Sequence, residues 1–148
     1  MTMRVYVDTS VIGGCLDEEF SQESQALLEM ARDGKLVFLV SDLLLEELRK
    51  APPAVLRVLA DLPDDATETL TTSEESGRLR DAYLAANVVG AASESDAHHV
   101  ALATVARADL IVSWNFKHVV HVDKIRMFNA VNLMHYGLID IRSPLEVV

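Results

Sequence analysis

Cys15 is the only cysteine in the 148 residues, so no internal disulfide can staple this chain. Aromatic residues make up only 5% of it, which leaves Leu, Val, Ala and Ile to build the core. No apolar run approaches the roughly 20 residues that a membrane-spanning helix needs. The start, Met1-Thr2-Met3-Arg4, enters a short apolar segment without the pattern of a secretory signal. Basic residues are scarce too: 13 Lys and Arg face 23 Asp and Glu, a formal net charge of −10. Attraction to a nucleic-acid backbone comes from Lys and Arg, so this balance works against unaided binding to nucleic acid. The acids can instead be gathered in a site that metal ions neutralise, with the few basic residues at its rim; composition favours neither. A cytoplasmic protein with no membrane span fits these absences.

What the chain does have is apolar bulk. Half of its residues are hydrophobic, enough at this length for a sizeable core within one domain over residues 1–148. No repeat, low-complexity tract or long linker divides it. Arg4-Val5-Tyr6-Val7, Leu36-Val37-Phe38-Leu39-Val40 and Leu110-Ile111-Val112 are continuous apolar runs, as in parallel strands covered on both faces. Leu138-Ile139-Asp140-Ile141 is a weaker fourth strand. Helical patterns lie between them. Ser21 can cap a helix with Leu27, Leu28 and Ala31 on its stripe, ending near Gly34. Ser41 or Asp42 opens a second, with Leu44, Leu45 and Leu48, and Pro52-Pro53 suits the opening of a third, with Val55, Leu56, Leu59 and Leu62. A fourth follows Thr72-Ser73-Glu74-Glu75 and presents Leu79, Ala82, Tyr83 and Ala86. The fifth, from Ser93–Asp96 through Ala106, is apolar on most sides and so is the central buried helix. A sixth starts near Asp123 and shows Ile125, Phe128, Val131 and Asn132. Strands alternating with helices predict a three-layer α/β/α sandwich around a mostly parallel sheet. Sites in such sheets form at the carboxyl ends of the strands.

Several polar residues fall at that edge. Asp8 ends the first strand, although Asp8, Thr9 or Ser10 could equally cap a following helix. Glu47 lies one turn into the helix after strand two; Glu46 and Glu47 diverge by about 100° around the axis, and Glu47 is nearer the buried stripe. The plain alternative for Glu47 is a solvated helix glutamate. Asp96 opens the buried helix, where Ser93 and Asp96 also fit a capping box. The adjacent His98 and His99 point apart on a helix, so they read as flank residues within reach of substrate and not as a zinc pair. Asn115 lies just past the third apolar strand, with Lys117 and His118 following; Trp114 and Phe116 read as packing residues. Hard oxygen donors grouped in this way suit Mg2+ or Mn2+, which keep waters and bind phosphate oxygens.

Taken in order, Val7-Asp8-Thr9-Ser10-Val11, Ser41…Glu47-Leu48, Asp96-Ala97…Ala101…Ala103 and Ile111-Val112-Ser113-Trp114-Asn115-Phe116 resemble the PIN-domain family. They frame the chain from about residue 4 to residue 120, and its length is similar to that of VapC-type toxins of toxin–antitoxin pairs. The resemblance implies a metal-dependent endoribonuclease that hydrolyses RNA to 5′-phosphate and 3′-hydroxyl ends. It implies Asp8, Glu47 and Asp96 as the metal-site acids, and Ser10 as the residue supporting Asp8 by a hydrogen bond. Asn115 stands where the family often has Asp, so it can orient a metal-bound water but brings no charge. VapC-type relatives form homodimers and are held inactive by an antitoxin, and the resemblance implies both here. Lys117 and His118, beside Asn115, are candidate RNA-binding residues, as are Arg49 and Lys50.

Other readings fit less well. A haloacid-dehalogenase-like phosphatase would want a second Asp where Ser10 stands, a receiver domain an acidic pair within Met1–Val7, and a nucleotide-binding fold more than Gly13-Gly14 after strand one. The rival from a different class is a catalytically weak PIN-like module that binds RNA or protein. Asn115 and the net acidity favour it, whereas three gathered, mutually repelling carboxylates serve no scaffold.

Overall fold

A computed structural model describes residues 2–148. Its centre is a five-stranded, all-parallel sheet in the order β3-β2-β1-β4-β5, formed by β1 (Met3–Val7), β2 (Leu36–Ser41), β3 (Thr67–Leu70), β4 (Leu110–Val112) and β5 (Ile141–Arg142). Every crossover carries helix: α1 (Thr9–Gly14) and α2 (Ser21–Arg32) before β2, α3 (Asp42–Arg49) and α4 (Pro53–Ala60) before β3, α5 (Glu74–Ala85) and α6 (Glu94–Val105) before β4, and α7 (Val122–Asn132) before β5.

The continuous apolar strands are explained by two cores, one on each face. Val5, Val7, Phe38, Val40, Leu110 and Val112 pack with Ile12, Leu27, Leu44 and Leu59 of α1–α4. The alternate residues Tyr6, Leu39 and Ile111 pack with Leu79, Tyr83, Val100 and Phe128 of α5–α7. Successive strand side chains point to opposite faces, so only a sheet covered on both sides buries them all, and the three-layer α/β/α sandwich follows. Helix α6 is the most buried helix, as its all-round apolar pattern predicts. No helix among the described residues is long and apolar enough to cross a membrane.

Where structure and sequence pattern differ, local hydrogen bonding accounts for most of it. The expected strand Leu138–Ile141 shrinks to Ile141–Arg142 because the Asn129 side chain captures the backbone of Ile139, accepting from its N–H (2.8 Å) and donating to its carbonyl (3.0 Å). Strand β3 was not expected: Thr67-Glu68-Thr69-Leu70 has no apolar run, and as an edge strand it buries none of its side chains fully. Ser21 begins α2 but does not cap it, since Phe20 holds that position. Ser41 does cap α3, accepting from the Leu44 amide at 3.1 Å. On α5, Leu79 and Tyr83 are buried but Ala82 and Ala86 face solvent. Gly34 closes α2 at φ +75°, a conformation that costs glycine nothing.

Candidate functional site

Strand order reverses between β1 and β4, which makes their carboxyl ends the switch point at which such sheets hold ligands. Val7 pairs with Val112, so the next residues, Asp8 and Ser113, leave the sheet side by side. Asp8 stands at the N-cap position of α1, yet its side chain caps nothing. Instead Ser10 Oγ donates to Asp8 Oδ1 (2.5 Å) and Ser113 Oγ to Oδ2 (2.6 Å). Those two hydroxyls are themselves fixed, accepting from the amides of Trp114 (2.9 Å) and Asn115 (3.0 Å) respectively. The Trp114 indole is anchored below by donating to Ser24 Oγ (2.8 Å) and packs on Phe20. Gly14 makes room for this, since a Cβ there would lie 2.6 Å from Ser24 Oγ and 3.0 Å from Trp114 Nε1. Asp8 is only 6% exposed and, like Asp96, makes no ion pair among the described residues.

Asp96 arrives from the first turn of α6. The capping box open to it does not form, because the Ser93 side chain makes no cap hydrogen bond. Burial raises the Asp96 carboxyl above its ordinary value and the charge of Asp8 adds to this, while His118, His99 and the nearby Asn115 side chain draw it partly back. Asp8, Asp96, Asn115 and His118 therefore share one neighbourhood.

Glu47 belongs to the same edge but has its own partners. Thr9 Oγ1 donates to Oε1 (3.1 Å), Ser95 Oγ to Oε2 (3.2 Å), and His99 Nε2 meets Oε1. Burial alone would raise the Glu47 carboxyl; hydrogen bonding from His99, Thr9 and Ser95 outweighs it and holds the group below its ordinary value. Glu46, one position earlier, faces solvent and pairs with Arg49 (2.8 Å), as the helix geometry requires.

Asn115 is not a free oxygen ligand. Its Oδ1 accepts from the amides of Lys117 (3.2 Å) and His118 (2.9 Å), which leaves its NH2 group to face outward from this turn. The Lys117 side chain is exposed and makes no ion pair among the described residues. Lys50 is exposed at the end of α3. Trp114 is buried as a packing residue, but Phe116 is 47% exposed.

The two histidines do point apart. His98 Nε2 lies 3.2 Å from Ser76 Oγ on α5. His99 is not a flank residue: it is buried against the sheet, bonded to Tyr6 and Glu47. Sequence reasoning also passed over Ser113, Thr9 and Ser95. Ser113 was signalled only by following β4 directly, as Asp8 follows β1. A separate cavity of about 430 Å³, lined by residues that include Thr104, Arg107, His135 and Tyr136, lies at the opposite end of α6 from Asp96 and shares no residue with the acids.

The donor set fits a hard divalent cation. A buried carboxylate with only hydroxyl partners is costly in the absence of a cation, and Asp8 and Asp96 repel each other. Among the described residues no three acidic, histidine or cysteine side chains enclose an ion by themselves. Mg2+ does not require such a cage, since it is commonly held by one or two carboxylates with retained waters and substrate phosphates.

The fold and the site together define a class: an α/β/α sandwich with its acids at the switch point of an all-parallel sheet. Within that class the chain belongs to the PIN-domain family, whose profile matches residues 4–117. A chain from the crystal structure of VapBC2 from Rickettsia felis, bound to a DNA fragment from their promoter, has a similar fold. Its TM-score is 0.57 at 12% identity, over 95% of this chain and 98% of that one. No curated protein matches the chain by sequence.

Proposed function

We propose that this PIN-domain protein is a metal-dependent endoribonuclease acting in the cytoplasm as the toxin of a toxin–antitoxin pair, with residues 1–148 working as one domain. The observation that carries the reading is the Asp8–Asp96 pair at the switch point, Asp8 buried and Asp96 half-buried, neither in an ion pair among the described residues. Asp8, Asp96 and Glu47 would hold Mg2+ or Mn2+. Such an ion, when bound, activates water, orients the phosphodiester and stabilises the leaving oxygen. Ser10 and Ser113 keep both Asp8 oxygens aimed in one direction, so that little reorganisation is needed on binding. Glu47, kept below the ordinary carboxylate range, is ionised at neutral pH and can accept a hydrogen bond from the attacking water. Asn115 shapes the turn that carries Lys117 and His118, of which His118 acts on Asp96. The fold likeness to VapBC2 supports an antitoxin partner, and a homodimer would supply an RNA groove that one acidic subunit lacks.

One observation favours a catalytically weak RNA- or protein-binding module instead: Asn115 brings no charge and its oxygen is committed to the turn. Incubating purified protein with assorted RNAs separates the two. Cleavage is expected with Mg2+ or Mn2+ and is lost with a chelator, and saturating metal is expected to raise the melting temperature. RNA left intact and melting unmoved by either metal would sink the nuclease reading.

How so acidic a protein holds RNA is a local question, because charges are screened over about 8 Å at physiological salt. Lys117→Ala is expected to weaken binding across RNA sequences and to lower the slope of log affinity against log salt by about 0.7–1. Stabilisation by metal should persist in the variant, since Lys117 is no ligand. Binding is measured with Ca2+ in place of Mg2+ to slow cleavage; identical slopes would place the RNA elsewhere.

A further inference from the structure

A line of buried hydrogen bonds leaves the N-terminus of α3, passes through β1 and α6, and returns to Glu47 on α3. The Leu44 amide donates to Ser41 Oγ (3.1 Å); Ser41 Oγ lies 2.8 Å from the Tyr6 hydroxyl; that hydroxyl lies 2.6 Å from His99 Nδ1; and His99 Nε2 meets Glu47 Oε1. Ser41 and Tyr6 are fully buried and His99 nearly so. Burial also pushes the Tyr6 hydroxyl well above its ordinary value, so it keeps its proton.

Counting hydrogens gives the direction of every bond. The Leu44 N–H can only donate, so it occupies a lone pair of Ser41. Two hydroxyl hydrogens remain, on Ser41 and Tyr6, for two gaps, Ser41–Tyr6 and Tyr6–His99. A hydrogen on His99 Nδ1 would place three hydrogens in two gaps and leave one buried without an acceptor, which is costly. With Nδ1 bare, Ser41 donates to Tyr6, Tyr6 donates to Nδ1, and the ring hydrogen sits on Nε2 facing Glu47. All donors then point towards Glu47, an order in which each bond polarises the next.

We infer that Ser41 and Tyr6 lock His99 in its Nε2–H tautomer, and that His99 thereby acts as a positioning residue fixing the Glu47 carboxylate for the metal site. What Glu47 does there rests on the function proposed above; the tautomer does not. Without His99, Glu47 keeps only two hydroxyl partners, from the half-buried Thr9 and Ser95. A partner of this kind behind a ligating carboxylate is worth about 10–100-fold in metal affinity.

The test begins on metal-free protein labelled with 15N-histidine. The His99 ring is expected to show an unprotonated Nδ1 and a protonated Nε2; a protonated Nδ1 would overturn the lock. Mn2+ affinity is then measured by calorimetry on wild type, His99→Leu, Tyr6→Phe and His99→Gln, with circular dichroism confirming each fold. His99→Leu is expected to bind about 10–100-fold more weakly, and Tyr6→Phe to lie between it and wild type. His99→Gln, whose amide can still donate to Glu47, should stay within about threefold of wild type, a rescue that lost packing would not show. Equal affinities for wild type and a folded His99→Leu would overturn the positioning role. If His99→Leu does not fold, Tyr6→Phe and His99→Gln carry the same comparison. Wild type that binds no Mn2+ would overturn the metal site itself and with it the role of Glu47, while the nitrogen shifts still decide the lock.

Discussion

Asp8→Asn is expected to lower RNA cleavage by at least about 10³-fold, the upper range for removing one electrostatic contact to charge that develops in a reaction. Asn is close in size to Asp, and the Ser10 and Ser113 hydroxyls that now donate to Asp8 can rotate to suit an amide. The fold should therefore survive, and loss of activity would report lost charge. Initial rates on one RNA at matched Mn2+, with circular dichroism for both proteins, give the comparison. A folded variant retaining a tenth of wild-type activity would remove Asp8 from the machinery, and with it the central residue of the proposed site.

Asp96→Asn should produce effects of opposite sign on activity and on stability. Cleavage is expected to fall about 10²–10³-fold, yet metal-free protein should become more stable at pH 7. The Asp96 carboxyl is raised chiefly by burial and further by Asp8, so its charged form is less comfortable folded than unfolded. A group raised on folding favours the folded state only while protonated, so its relative stabilisation fades as pH rises through the carboxylate range. Asn never titrates. The melting difference between variant and wild type should thus be smallest below the unfolded carboxylate value and should open above the folded one. The carboxyl is about half in solvent, so the gain is discounted to about 1 kcal/mol or less, a rise in melting temperature of up to ~2–4 °C for a chain of this size. Saturating Mn2+ should stabilise wild type but not the variant, narrowing or reversing the gap. A variant less stable than wild type at pH 7 without metal would mean that Asp96 is held by favourable contacts and carries no stored repulsion.

The placing of the acids was largely legible because the relevant signals are local. Three apolar runs marked β1, β2 and β4; Asp8 and Asn115 follow strand ends, Asp96 lies in the first turn of α6, and Glu47 lies on the short helix that follows β2. In a parallel sheet those positions share one edge whatever the details of packing. The weak strands were harder. Strand β3 carries Thr and Glu on an edge, and the Asn129 side chain, which shortens β5, acts from ten residues away.

The sequence by itself therefore determined the α/β alternation, the buried α6 and the edge on which the acids fall, because these depend on periodicity and chain order. Only the tertiary structure decided how each acid is held. Local rules left Asp8 and Asp96 open to capping roles, which neither fills; Asp8 is held by one near donor, Ser10, and one distant donor, Ser113. Ser113 reaches Asp8 across 105 positions, and His99 reaches Glu47 across 52. The hydrogen bonds that orient a buried group depend on which elements the two cores press together, and no spacing along the chain encodes that.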